Sequence, residues 1–180
     1  MRILRARDRV SSPWKNSGGV TAEIAVFPPG AGFDDFGWRV SAAHVAKGGP
    51  FSTFPGIDRT LAVLRGRMAL TIAGMGRVEM SSSSAPLAFP GDAATEARLL
   101  DGPVEDLNVM TRRGAYRARV TRGGRPSSDA DVTLLYLLTD TKMPDGTALS
   151  ISDVVQIAHS DATALSPDAD FYRIEIFATV

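Results

Sequence analysis

The sequence predicts an all-β fold, and three observations carry that prediction. Apolar and polar residues alternate with a period of two in one segment after another. Turn-forming Gly and Pro, 17 and 11 of the 180 residues, are scattered along the whole chain rather than clustered. No stretch of about a dozen residues holds an apolar stripe at the 3.6-residue helical period. A dozen or so short strands, spaced about 8 to 15 residues apart, suit a β-sandwich or barrel, and 180 residues are enough for two jelly-roll-like lobes.

Taken in order, Val20, Ala22, Ile24 and Val26 are expected on one strand face, with Thr21, Glu23 and Ala25 on the other, until Pro28, Pro29 and Gly30 end the strand. Residues 38–45 form the next, placing Arg39 and Ser41 opposite Trp38 and Val40. Segments 60–64 and 68–73 flank Arg65-Gly66-Arg67, a hairpin spacing in which Gly66 takes a positive φ. Residues 77–80 lead to an exposed serine loop at 81–84. Further strands are predicted over 86–89, 95–100, 104–111 and 116–120, then over 132–139, 151–158 and 171–178. The Gly/Pro/Ser-rich stretch 122–130 is the expected seam between lobes within a single unit covering 1–180.

Composition excludes several explanations of function. Without cysteine there is no disulfide framework, cysteine nucleophile or thiolate metal site. Twenty basic side chains balance twenty acidic ones, and a pI near 6.7 argues against a surface that coats nucleic acid or anionic membrane. Arg2, Arg5, Arg7 and Arg9 interrupt the first apolar residues, so no signal-peptide core is expected. The longest aliphatic run, 132–138, is far short of the roughly 20 residues of a membrane span. A cytoplasmic protein without membrane contact is expected.

Three constellations carry candidate chemistry. In Pro13-Trp14-Lys15-Asn16-Ser17-Gly18-Gly19, Lys15 is suited to an anion and Asn16 to donating and accepting, ahead of the Thr21/Glu23 face. Around the second, Arg39 and Ser41 precede Gly49-Pro50-Phe51-Ser52-Thr53-Phe54-Pro55-Gly56-Ile57-Asp58-Arg59, a stiff aromatic loop containing Ser52 and closed by Asp58 and Arg59. An arginine in a partly apolar site suits bidentate binding of a carboxylate. The third runs 106–113 and puts Asp106, Asn108 and Arg112 on one strand face, lining a barrel mouth or facing solvent.

The strings PWKNSGGVTAEIA (13–25), WRVSAAHV (38–45), GPFSTFPGIDRTLAVLRG (49–66), FPGD (89–92) and DLNVMTRR (106–113), in this order, resemble the HutD/Ves family. The resemblance runs from about residue 4 to 116 and implies a bicupin, two β-barrel lobes in one compact unit. It also implies an association with histidine utilisation in a regulatory or ligand-sensing role. Carried over position by position, the polar residues of the matched strings are Lys15, Asn16, Thr21, Glu23, Arg39, Ser41, Ser52, Asp58, Arg59, Asp106, Asn108 and Arg112. The family's Asn-Gly-Gly-Gly is here Asn16-Ser17-Gly18-Gly19, so a positive φ at the second position would fall on Ser17.

Cupin enzymes commonly hold a divalent metal with a His-X-His pair, a carboxylate and a further His. Here only His44 and His159 occur, far apart in sequence, and neither a metal nor another cofactor is expected. No nucleophile elbow, phosphate loop or dinucleotide fingerprint is present. The expected function is binding of a small carboxylic acid, such as urocanate or formylglutamate, by a sensor or modulator of amino-acid catabolism. The alternative is a metal-independent enzyme using Glu23 or Asp106 as acid/base. Arg112, Arg113, Arg117, Arg119, Arg122 and Arg125 form a basic stretch read as a solvated edge strand rather than a nucleic-acid site. A homodimer paired through a sheet edge is a further expectation.

Overall fold

The structure is a computed structural model and describes residues 1–14, 17–157 and 165–179. The chain forms two compact units, one built from 10–115 and the other from 1–9 together with 116–180. In chain order the strands begin with β1 (Arg2–Leu4), β2 (Ser11–Pro13), β3 (Gly19–Phe27), β4 (Trp38–Val45), β5 (Gly49–Pro50) and β6 (Ile57–Arg65). Next come β7 (Arg67–Ile72), β8 (Gly76–Ser81), β9 (Leu87–Pro90), β10 (Thr95–Leu99), β11 (Val104–Arg112) and β12 (Tyr116–Arg122). The last are β13 (Val132–Leu137), β14 (Thr141–Lys142), β15 (Ala148–Leu149), β16 (Val154–Ile157) and β17 (Phe171–Ala178). One 3-10 turn, Ala6–Asp8, is the sole helical element among the described residues, and no helix there is long and apolar enough to cross a membrane.

The 10–115 unit consists of two antiparallel sheets, ordered β2-β3-β4-β11-β6-β9 and β5-β10-β7-β8. From β4 to β11 the chain passes back and forth between them, so each sheet presents one face to the other. Period-2 alternation makes those faces apolar: Val45, Leu61, Val63 and Val104 from the larger sheet pack with Met68, Leu70, Ile72 and Met80 from the smaller. Fully burying each such side chain contributes about 1.5–3 kcal/mol relative to exposure. Gly66 links β6 to β7 with φ 84, as the hairpin spacing predicts, and its position is tight: an added Cβ would meet the Pro103 carbonyl at 2.7 Å.

Strand β3 departs from simple alternation. Glu23 pairs with Ser41 and Ala25 with Val40, so Ile24 is a bulge. Val26 consequently crosses to the face of Thr21 and Glu23, pairs with Arg39 and packs against Phe36, Ile57 and Met110. A second register shift lies between Glu105 and Asp106 on β11. The short strands β1, β2, β5, β14 and β15 escape period-2 reading because two or three residues contain no period.

In the other unit a five-stranded antiparallel sheet runs β1-β16-β13-β17-β12, with β14-β15 as a separate hairpin. Leu135, Leu137, Val155 and Ile157 of the sheet pack with Met143 and Leu149 of the hairpin. Segment 122–130 carries the end of β12 and the connection toward β13, inside this unit. The strand predicted over 151–158 is shorter: Ile151 and Ser152 form a turn, with Ser152 at φ 68, and only Val154–Ile157 is extended, residue 158 lying outside the described residues. The Asp153 side chain stabilises that turn by accepting from the Ser150 N–H at 3.0 Å.

The basic stretch lies along and beside β12, the outermost strand of this sheet. Arg119 pairs with the fully buried Glu175 at 2.8 Å, Arg122 with Asp170 at 2.5 Å, and Arg117 stacks over Phe177 at 3.8 Å. In the 10–115 unit Arg113 bridges Asp58 at 2.7 Å and Asp92 at 3.0 Å.

Candidate functional site

Toward one end of the inter-sheet space in the 10–115 unit, polar residues replace apolar ones on the inner face of the six-stranded sheet. Register sets their rows. Thr21 lies beside Ala43 and Asp106; Glu23 beside Ser41 and Asn108; Arg39 beside Met110 and Arg59. They surround a cavity of about 730 Å³. Phe33, Phe51, Phe54 and Trp14 supply its aromatic walls, and Ser52 its loop rim.

Arg59 is the buried cation of the cavity. It is 8% exposed, and its guanidinium lies 4.9 Å from the Phe51 ring centroid, 5.3 Å from that of Phe89 and 5.8 Å from that of Phe54. Its Nε donates to Asn108 Oδ1 at 3.3 Å and a terminal nitrogen donates weakly to the Ser52 carbonyl at 3.5 Å. Among the described residues no carboxylate forms an ion pair with it. Burial lowers its pKa to about 10, partly offset by attraction to Asp106. Gly91 makes room for the stem: a Cβ there would lie 3.2 Å from Arg59 Cγ and 2.8 Å from the Ile57 carbonyl.

Asp106 sits at 4% exposure between Ala43 and Val63 in register, and no side chain among the described residues donates a hydrogen bond to it. Burial pushes its carboxyl up to about 7 against the opposing pull of Arg59. The site's other acid is already engaged, since Glu23 pairs with Arg39 at 2.8 Å while Arg39 lies over Phe33 at 4.3 Å. Phe33 in turn stacks on Phe54, with ring centroids 5.8 Å apart. Trp14 Nε1 donates to Thr21 Oγ1 at 2.7 Å, fixing the indole against β3.

Eight sequence-predicted residues therefore share one cavity: Thr21, Glu23, Arg39, Ser41, Ser52, Arg59, Asp106 and Asn108. Asp58 does not belong to it; alternation turns it away from the Arg59 face and into the Arg113 ion pair. Arg112 is not among the lining residues either. Its parity matches Asp106 and Asn108, but at the strand end its guanidinium reaches the carbonyls of Phe36 and Asp34, both at 3.0 Å, and braces the 28–37 connection. Lys15 and Asn16 lie outside the described residues. Phe33, Met110, Val10, Ser12 and Pro13 line the cavity without having been singled out. Phe33 sits in a connection without periodicity, and Met110 shares the parity of Asp106 and Asn108, the signal that would have found it.

The neighbouring turn carries backbone demands of its own. Ser17 adopts φ 54, the positive value the motif comparison places on it, and its N–H donates to the Trp14 carbonyl at 3.0 Å. A left-handed conformation at a residue with a Cβ costs about 1–2 kcal/mol, which the backbone bonding at the turn offsets in part. Gly19 lies so close to β4 that an added Cβ would collide with the His44 carbonyl oxygen.

Chemically, the cavity offers a buried guanidinium with unfilled donors, an amide, hydroxyls, aromatic faces and a carboxyl able to hold a proton near neutrality. A divalent cation does not fit this donor set: two guanidiniums face the cavity, no imidazole among the described residues does, and Glu23 is held by Arg39. His44 is exposed on the opposite face of β4, and His159 lies outside the described residues. No group of three or more His, Asp or Glu with metal-binding geometry exists among the described residues.

Comparisons with known proteins agree with one another. The HutD family model matches residues 6–172. An uncharacterised 21.2 kDa protein in the hutC 3′ region of Pseudomonas putida is 40% identical over 140 residues, covering 76% of this chain and 73% of that protein. Protein Ves of Citrobacter koseri is 38% identical over 108 residues, and the match spans 59% of this chain and 56% of Ves. Among solved structures, HutD from Pseudomonas fluorescens SBW25 superposes with a TM-score of 0.83 at 33% identity, covering 98% of both chains. A single-residue variant of oxalate decarboxylase from Bacillus subtilis, at 10% identity and a TM-score of 0.60 over 98% of this chain and 77% of that one, shares the fold alone, an all-β architecture of the cupin-like kind. Sequence, structure and the matched span of 6–172 place this chain in the HutD family.

Proposed function

We propose that this HutD-family chain is a bicupin that binds a small carboxylic acid in the 10–115 cavity and thereby senses or modulates histidine catabolism. The observation that carries this reading is Arg59: a buried, aromatic-walled guanidinium with no ion-pair partner among the described residues, opening into a cavity large enough for a small molecule. Burying a charge without a partner is unfavourable, and a site with that property is built for a charge brought from outside. Asn108, Ser41 and the aromatic rings would orient the rest of the ligand. The division into two compact units supports the two-lobed reading, and the name of the P. putida relative, placed at hutC, supports the link to histidine use. Urocanate, planar and carboxylate-bearing, and formylglutamate are the ligands this reading names.

Asp106 favours a second reading. A carboxyl with a pKa of about 7 is matched to general acid or base work, so a metal-independent enzyme would use Asp106 before Glu23, which is tied to Arg39. One experiment separates the two. Isothermal titration at pH 7 with urocanate, formylglutamate, glutamate and histidine is followed by product analysis of each mixture. Binding is expected with recovery of the ligand unchanged, and Arg59→Met is expected to weaken it about 10- to 150-fold, the worth of a charge-assisted hydrogen bond. Consumption of the acid would establish the enzyme instead. Equal affinity of a folded Arg59→Met variant would remove this site.

A further inference from the structure

The cavity places a carboxyl group beside the very cation that a ligand carboxylate would need. Asp106 and Asn108 stand two residues apart on one face of β11, and Asn108 Oδ1 accepts from Arg59 Nε at 3.3 Å, so an anion on the open side of Arg59 enters the surroundings of Asp106. If both carboxyls were ionised, Arg59, itself buried, would have to serve two anions beside the buried Asp106. The charges facing Asp106 are few. Strand β6 contributes Arg59; β3 and β4 contribute Glu23 and Arg39, which neutralise each other at 2.8 Å. The facing four-stranded sheet contributes Met68, Leu70 and Ile72, all apolar, and Lys15 lies outside the described residues. His44 and Glu105 occupy the other face of β4 and β11, where they pair with each other in register.

We infer that the pocket takes its ligand as an anion together with one proton: the ligand carboxylate seats on Arg59, and a proton drawn from solvent resides on the Asp106 carboxyl, which then donates a hydrogen bond into the cavity. This rests on the carboxylate-binding reading above. In the empty pocket, Arg59 is the charge that holds the Asp106 proton affinity down, and even so burial leaves it near neutrality. A bound carboxylate cancels the Arg59 charge and adds a negative one, and both changes raise the affinity of Asp106 for its proton. Binding and protonation are thereby coupled, and the pocket selects against ligands for which a neutral donor at this position has no acceptor.

The test uses the whole chain with formate and formylglutamate, neither of which titrates between pH 6 and 9. Isothermal titration at each pH in two buffers of different ionisation enthalpy counts the protons taken up. The expected uptake is about one proton per ligand at pH 8, about half at pH 7 and close to none at pH 6, with affinity flat below pH 6 and falling about tenfold per pH unit above 7.5. Asp106→Asn is expected to abolish both the uptake and the slope, while Asp58→Asn, outside the cavity, keeps them. Should Asp106→Asn fail to fold, a ¹³C-carboxyl titration of the parent replaces it, in which the Asp106 midpoint must move up when formate is added. Binding at pH 6 without proton uptake at pH 8, or a slope that persists in Asp106→Asn, overturns this inference and leaves the carboxylate reading standing. No binding of either acid at pH 6 overturns both.

Discussion

At the residue scale, the consequence of Asp106 for stability is separate from what it does for a ligand. Its folded-state pKa of about 7 lies above the unfolded value of about 3.9, so the folded protein binds the extra proton throughout that interval. Stability therefore falls as pH rises from about 4 to 7 on account of this one group, by up to about 4 kcal/mol if nothing relaxes. Asp106→Asn removes the charge and keeps the shape. The expected outcome in urea denaturation is a variant of nearly parental stability at pH 4 and more stable than the parent by about 1–3 kcal/mol at pH 8. A variant that is less stable at pH 8 would mean that the ionised carboxylate has a partner that compensates its burial. Arg59 differs in kind: its aromatic neighbours and Gly91 accommodate the stem, and its lowered pKa of about 10 still leaves it charged at pH 8.

At the scale of the element, the strands that position the site are legible in the sequence where they are long. Residues 38–45 and 171–178 are strands over the predicted spans, and β6 and β11 extend their predictions by a few residues at one or both ends. The alternation within them was enough to group Arg39 with Ser41 and Asp106 with Asn108, hence most of the cavity. It failed at Ile24, because a bulge changes parity without changing composition, and at Arg112, because parity says which face a residue leaves from and not where a long side chain ends. Phe33 escaped for a third reason: it lies in a connection without periodicity, and its position is set by contacts with Arg39 on the next strand and with Phe54, 21 residues on. Strand β3 also yields a prediction. It runs so close to β4 at Gly19 that Gly19→Ala would force the strands apart, at a cost of about 1–3 kcal/mol by denaturant unfolding. Gly32→Ala is the control, with 3.5 Å of room at its nearest neighbour and an expected change within about 0.5 kcal/mol. Equal effects of the two would deny the close approach at Gly19.

At the scale of the whole molecule, the unit containing the C-terminal strands also contains the first nine residues. Strand β1 adds to the sheet by pairing Arg2 with Gln156, Ile3 with Val155 and Leu4 with Val154, and Ile3 packs on the Leu135 and Val155 cluster. Electrostatics reinforce the attachment at Asp153. Burial alone would push that carboxyl up, but the backbone N–H groups of Ala6 and Ser150 and the guanidinium of Arg5, at 2.9 Å, outweigh it and hold it below the usual carboxylate range. A carboxylate with a depressed folded-state pKa contributes stability that is present above its unfolded pKa and lost as pH falls through the folded value. Removal of residues 1–9 is therefore expected to speed amide exchange in β16 about tenfold or more at pH 7, since the strand becomes an edge and Asp153 loses its Ala6 and Arg5 partners. The stability difference between the parent and the truncated chain should then narrow as pH drops below the unfolded carboxylate value of about 4 toward the lower folded-state value of Asp153. Unchanged exchange in β16 would show that β1 is a dispensable edge, whereas accelerated exchange with a pH-independent stability difference would assign the attachment to Ile3 and backbone pairing and remove Asp153 from it.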